Sequence, residues 1–407
     1  MSKFRSGYLF PLLIFLFAVF SGFIIWRDAW FENDRHFSIL TESFLKGDLF
    51  LSPINLPQGD FADYFGRQYL FYGPLPSILL VPFVAVFGRN FQQAVLSWVS
   101  LPIVYFSIYW LLRRLKLAKL DAFWLANFFV FGTVFYFVGL INISAFVVQA
   151  VGTVFVVLSL VSYFWRRSFL VAGLLLAAAG LARVSLYGMA VFYVLEIFRL
   201  RGQIDIKKSF LALLMPIFFS LLILGIYNHR RFGSVFDSGY SHNVSEVAKG
   251  HPNLDEGLMS IKHIPTKLYL LLAAPPEPVT ADKFEYIIKF PYLKVNSDGM
   301  AIWYTSPLFA YLLLAKRRPY TFSAIWAIVA LAVPSLLYFG FGESQYGYRY
   351  SLDFLPLLFL ILISAFAKGI PIFAKILIAF GIVFNCFYMA SLWNSYPLLH
   401  FWDYFGL

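Results

Sequence analysis

The chain has 407 residues, of which 60% are hydrophobic, 21% aromatic and only 13% charged, and it carries a net charge of +11. Soluble domains carry about 25% charged residues, so this composition and a mean hydropathy of +0.74 exclude an ordinary soluble protein, a disordered one and a collagen-like one. Cys386 is the only cysteine, which excludes a disulfide scaffold; the basic excess fits either nucleic-acid binding or the Lys/Arg bias of cytoplasmic membrane loops, and charge position decides between them.

A bilayer core needs roughly 20 apolar residues per helix. The first such run is Tyr8 to Trp26, behind the short basic start Met1 to Arg5. It is long for a signal-peptide core and lacks a small-x-small cleavage site, so it reads as a first span with its N-terminus inside. Further spans are expected at 92–112, 122–140, 145–165, 169–182, 184–199, 208–228, 301–315, 320–340, 350–366 and 370–391.

Gly73 to Gly88 is apolar but short, and it contains Pro74, Pro76 and Pro82. If it lies along the surface, the clusters Arg113-Arg114 with Lys116 and Lys119, Arg166-Arg167, Arg199 and Arg201 with Lys207-Lys208, and Lys316-Arg317-Arg318 all share one side. If it spans, all of them move to the other. The positive-inside rule favours the first arrangement. The expected fold is therefore all-α, a single polytopic domain over 1–407 with about 11 spans and outer interfacial helices. The expected place is the inner (cytoplasmic) membrane. The long outer loops, about 28–91 with the interfacial helix included and 229–299, then share one face with the short loops near Asn142, Arg183 and Glu343 to Arg349. The +11 becomes mostly a topology signal, and no nucleic-acid partner is expected.

Candidate chemistry follows in chain order. Asp34 stands just beyond the first span in Asn33-Asp34-Arg35-His36. A carboxylate there suits a general base; the plainer alternative is a hydrated acid marking a helix end. Next come Asp60, Asp63, Tyr64, Gly66, Arg67, Tyr69 and Tyr72. Aromatic faces suit a sugar or lipid and Arg67 a phosphate; residue types alone favour a packed loop with Gly and Pro setting its turns. Asn142-Ile143-Ser144 and Asn243-Val244-Ser245 match a glycosylation pattern that is common by chance.

Arg183 lies where two short spans meet, and Arg349 opens the tenth span ahead of Asp353. Ionisable residues at such depth are functional candidates, and two guanidiniums suit a lipid phosphate. The alternatives are snorkelling for Arg183 and an i,i+4 salt bridge from Arg349 to Asp353. Lys262, His263 and Lys267 precede a second interfacial stretch, Leu268 to Ala274, and read most simply as anchors. No Walker motif, GxGxxG or Cys/His metal spacing is present.

Taken in order, four segments resemble the GT-C superfamily of polytopic glycosyltransferases, nearest to bacterial relatives of dolichyl-phosphate-mannose protein mannosyltransferases and aminoarabinose transferases. They are Asn33-Asp34-Arg35-His36 before Leu45-Lys46-Gly47-Asp48; Tyr69 to Pro76; Tyr227-Asn228 with Arg231-Phe232-Gly233-Ser234 and Gly239-Tyr240; and Gly347-Tyr348-Arg349-Tyr350 with Asp353 and Pro356. The resemblance implies transfer of a sugar from a polyprenyl-phosphate donor to an acceptor on the outer face, with inversion. Asp34 matches the expected base. Arg349, Arg183 and Arg67 are the donor-phosphate candidates, and His36, Asp63, Tyr69, Tyr72, Tyr348 and Asp353 the substrate contacts.

The chain departs from the family in its single acid at Asn33-Asp34, in Asn142 and Ser144 where relatives carry a second acid, and in Tyr72-Gly73-Pro74 without a lysine. Members differ in metal use; without paired acids on neighbouring loops no cofactor and no metal site are expected. The acceptor stays open among protein, lipid and glycan. A transporter or flippase of a lipid-linked glycan is the alternative; it would explain Arg183 and Arg349 without chemistry.

Overall fold

The computed structural model describes residues 2–29, 34–51, 61–242, 252–280, 288–342 and 345–394. Helix dominates. In chain order the α-helices are α1 Ser2–Ala29, α2 His36–Leu45, α3 Leu75–Phe87, α4 Ala94–Arg114, α5 Lys119–Phe131, α6 Val134–Leu140, α7 Ser144–Arg166, α8 Phe169–Ala182, α9 Ala190–Arg199, α10 Ile206–Phe232, α11 Ile264–Leu272, α12 Ile302–Thr305, α13 Thr321–Leu337, α14 Leu355–Leu362 and α15 Ile372–Asn394. Each expected span coincides with helix, and each expected interfacial stretch with one short helix, α3 or α11.

Not every expected span is one continuous helix. Among the described residues four helices, α4, α7, α10 and α15, are long and apolar enough to cross a membrane, and a fifth is reached if α5 and α6, bent by 59° at their junction, count together. Of the rest, α1 is one continuous helix of 28 residues, and the others are short or broken. At 184–199 a 3-10 segment Val184–Met189 precedes α9; at 301–315 α12 gives way to 3-10 helix Pro307–Leu314; at 350–366 a 3-10 segment Arg349–Asp353 precedes α14. Two of these changes fall beside a proline, Pro307 and Pro356, which lacks the N–H that a continuing helix needs.

The helical content fits the all-α expectation, and two short β-hairpins accompany it. Phe61–Tyr64 (β1) and Arg67–Leu70 (β2) pair antiparallel, with Tyr64 opposite Arg67. Phe65 and Gly66 at the turn both have positive φ, 51° and 72°, as a two-residue type I′ connection requires. A second hairpin pairs Glu277–Thr280 (β3) with Ile288–Lys294 (β4).

The core centres on α7, which packs between α4 and α8 and has 78% of its apolar window buried. By contrast only 28% of the α10 window is buried, and Leu211, Phe218, Phe219, Leu222 and Ile223 stand exposed along it. An apolar face of that size belongs in lipid or against a partner, not in water.

The basic connections gather at one end. Arg114 donates to Phe164 O (3.1 Å) and Arg167 to Gln203 (3.2 Å). Glu196, fully buried, accepts from Ser323 (2.8 Å), Arg199 and Tyr163. The carbonyl ends of α8 and α10 and the start of α7 lie at the opposite end, with both hairpins. There Gly73 passes so close to α8 that a Cβ would lie 2.1 Å from Leu181 O and 2.6 Å from Ala182 O.

Candidate functional site

Asp34 closes the N-terminus of α7. Its Oδ2 accepts the Ser144 N–H at 2.7 Å, and its backbone carbonyl accepts from Asn142 Nδ2 at 3.1 Å. The first N–H groups of a helix have no intrahelical partner and favour an anion, so the pairing has a local cause. Its Oδ1 stands 2.7 Å from His36 Nδ1 and 3.2 Å from the His36 N–H. Ser144 Oγ is in turn 3.1 Å from His36 Nδ1 and accepts from Gln93 Nε2 at 3.1 Å. Burial alone raises the Asp34 pKa, but the His36 charge and the hydrogen bonds from His36 and Ser144 outweigh it and hold the carboxyl below its ordinary value. Asp34 is thus an ionised carboxylate with a fixed orientation. Asn142 is buried and engaged with Asp34, which removes it as a glycan acceptor.

Arg183 and Asp353 form a bidentate pair: Nε to Oδ1 and Nη2 to Oδ2, both 3.1 Å. Ser185 Oγ adds a third donor to Asp353 at 2.7 Å. The snorkelling alternative for Arg183 therefore fails. So does the i,i+4 bridge from Arg349: residues 349–353 form a 3-10 turn, in which i+3 eclipses i and i+4 points elsewhere. Asp353 pairs with Arg183, while Arg349 finds other partners. Arg349 is buried. Its Nη1 donates to Gln149 Oε1 (3.2 Å) and its Nε to Gly342 O (3.3 Å), and its guanidinium stands 4.8 Å from the Tyr350 ring.

Arg231, on the last turn of α10, is 4% exposed. It donates to Leu70 O (2.7 Å) and Asn228 Oδ1 (2.9 Å) and stacks on Tyr227 at 3.8 Å. Its Nε is buried without a hydrogen-bond partner. Among the described residues neither Arg231 nor Arg349 forms an ion pair.

These three arginines reach one cleft of about 1260 Å³. Phe71, Tyr72 and Gly73 form one edge, and Ile143, Ala145 and Phe146 line a wall beside Ser144; Asp34, which accepts the Ser144 N–H, does not itself line the cleft. Leu221, Leu222 and Ile226 of α10 with Ala330 and Pro334 of α13 supply an apolar flank. The cleft is thus cationic among Arg183, Arg231 and Arg349 and greasy along α10 and α13.

Other expected contacts fall elsewhere. Arg67 and Asp63 are exposed on the first hairpin and outside the cleft lining; Arg67 stacks at 4.6 Å over Phe50. Tyr69 is buried between Phe50 and Phe232. Tyr348 is buried beside Tyr350 and does not line the cleft. Asp60, the 243–245 glycosylation pattern and Glu343 lie outside the described residues.

Two residues were not legible as site or core. Arg231 reads in the sequence as part of a polar helix exit; the missed signal is Tyr227, Asn228 and Arg231 at i, i+1 and i+4, which share a helix face. Lys267 reads as a surface anchor but has no exposure. Its Nζ donates to Phe339 O at 3.2 Å, and burial pushes the amine down to about 7. Among the described residues no three His, Cys, Asp or Glu side chains converge as a metal site would require.

No family model, curated protein or solved structure matches the chain. The site geometry therefore carries the functional argument.

Proposed function

We propose that the chain is a membrane glycosyltransferase that moves a sugar from a polyprenyl-phosphate donor to an acceptor hydroxyl on the outer face, with inversion. The observation that carries this reading is the cleft: an apolar flank fit for a prenyl chain leads to buried guanidiniums fit for a phosphate, with the oriented Asp34 carboxylate bonded to Ser144, between the lining residues Ile143 and Ala145. In this reading the eleven helical segments are spans or paired half-spans, the basic end faces the cytoplasm, and Tyr72 and Tyr240 offer aromatic surface to the sugar.

The reaction assigns each group a task. Asp34 takes the acceptor proton as its oxygen attacks the anomeric carbon. The bond from that carbon to the phosphate oxygen breaks, and its electron pair leaves with the phosphate. Guanidiniums fixed in a poorly hydrated cleft stabilise that growing charge without reorganising. His36 holds Asp34 rather than the sugar, and Asp353 holds Arg183. No metal is required by this scheme.

The test is transfer from a polyprenyl-phosphate sugar in membranes. Positioned acid–base groups contribute roughly 10²–10⁴-fold, so Asp34→Asn should lose activity on that scale. Undiminished transfer by the variant would remove Asp34 as the base; absence of transfer by the unaltered chain with every donor tried would remove the reading.

A further inference from the structure

The three arginines of the cleft are not equivalent. Arg183 is neutralised by the bidentate Asp353 at 3.1 Å, with Ser185 as a further donor. Among the described residues Arg231 and Arg349 have no carboxylate within ion-pair distance. Asp237, whose charge reaches Arg231 from farther away, is bonded instead to His242 at 2.9 Å. Among the described residues, two buried guanidiniums thus line one cavity with no carboxylate in ion-pair contact.

Resting on the lipid-phosphate reading of the cleft, we infer that it selects a prenyl-linked phosphate group carrying two negative charges over one carrying a single charge. Arg231 and Arg349 hold that group, and Arg183 acts as a strut. An unpaired buried charge is strongly unfavourable. A phosphodiester, with one charge, leaves one guanidinium unpaired; a dianion balances both. Among the described residues the buried Nε of Arg231 has no hydrogen-bond partner, and its Nη1 and Nη2 each donate one hydrogen bond, so the guanidinium keeps unused N–H donors. Two prenyl species carry the required charge: the phosphomonoester left when a sugar departs, and a diphosphate diester.

A purely structural role is the competing account of Arg231. It sits at the C-terminus of α10, where a cation is favourable, and it ties α10 to Leu70. A strut would stabilise the fold without reading ligand charge, so the decisive readout is a ratio of affinities.

The experiment uses the full chain in nanodiscs at about pH 8, above the second phosphate pKa of about 6. Four probes are titrated: farnesyl phosphate, farnesyl methyl phosphate, the P1-farnesyl P2-methyl diphosphate diester, and inorganic phosphate. The expected result is at least tenfold tighter binding of a dianionic farnesyl probe than of farnesyl methyl phosphate, with inorganic phosphate far weaker. Preference for the monoester points to the departing lipid phosphate, and preference for the diphosphate diester to a diphosphate-linked donor; either supports the inference. Arg231→Gln and Arg349→Gln should each erase most of that preference, while Arg231→Lys, which keeps the charge, retains it. Thermal melting in detergent verifies that the variants fold. Equal affinity for the mono- and dianionic probes overturns the inference. So does an Arg231→Gln variant that weakens both alike, or inorganic phosphate binding as tightly as farnesyl phosphate. Because no transfer is measured, a chain without glycosyltransferase activity still reveals whether the cleft selects by charge, and transfer with no charge preference overturns this inference alone.

Discussion

At the scale of single residues, Asp34 links chemistry to stability. Its carboxyl is held below the ordinary value of 3.8, so its contribution to folding is complete above that value and is lost as pH falls through the lower folded one. Asp34→Asn should therefore melt below the unaltered chain at neutral pH, and the gap should close below about pH 4. Melting in detergent across that range checks it; a gap independent of pH would mean that the carboxylate charge is not what α7 and His36 reward. The Arg183–Asp353 pair gives a second prediction. Removing one partner of a buried pair costs about 3–5 kcal/mol, whereas replacing both with apolar groups of similar size is often near neutral. Asp353→Leu alone should destabilise strongly, and adding Arg183→Met should recover most of the loss. A double variant no better than the single one would show that Ser185 and the surrounding packing, not the ion pair, set the stability there.

At the scale of elements, the sequence was informative where apolar runs were long and silent where the backbone changes type. Helices α4, α7 and α10 follow directly from runs that only a helix can bury. The bend between α5 and α6, the 3-10 turn at 349–353 and the first hairpin have no such signature. Phe65 at the hairpin turn adopts a positive φ that its side chain does not favour, so its Phe-Gly pair does not announce a type I′ turn as Asn-Gly would. The site suffered most from the 3-10 turn. Arg349 and Asp353 look like helix partners at i,i+4, and only the tighter winding sends them to different neighbours. Arg183, Arg349 and Asp34 were legible because charge beside an apolar run is rare; Arg231 and Lys267 were masked by neighbouring charges that are exposed. The close pass of Gly73 over α8 yields an element-scale prediction. Gly73→Ala would drive a methyl into the Leu181 and Ala182 carbonyls, displacing α3 from α8 and distorting the cleft edge. It should lower the melting temperature and weaken farnesyl phosphate binding together; an unchanged variant would mean that the α3 junction shifts freely.

At the scale of the whole molecule, the two ends differ in kind. One collects arginines and lysines on short connections; the other collects the hairpins, α11 and the cleft. Orientation follows if the bilayer sorts them by the positive-inside rule. Lys116 and Asp63 are exposed at opposite ends, and the only native thiol, Cys386, is buried. With Asp63→Cys, an impermeant maleimide should label intact cells; with Lys116→Cys, it should label only after permeabilisation. Labelling of residue 116 from outside would invert the orientation and move the cleft to the cytoplasmic face.

The Arg183–Asp353 pair also bears on biogenesis. Its partners are 170 positions apart, and those of the Gln149–Arg349 bond 200 apart. While the chain is being made, Arg183 leaves the ribosome long before its counter-ion exists. If the chain spans a membrane as proposed, a guanidinium without its counter-ion favours the hydrated boundary over the lipid interior, and α8 would seat fully only once residue 353 has been made. Final seating of the N-terminal helices would then be coupled to completion of translation, and a truncated product lacking residue 353 would present an unsheathed arginine to membrane quality control.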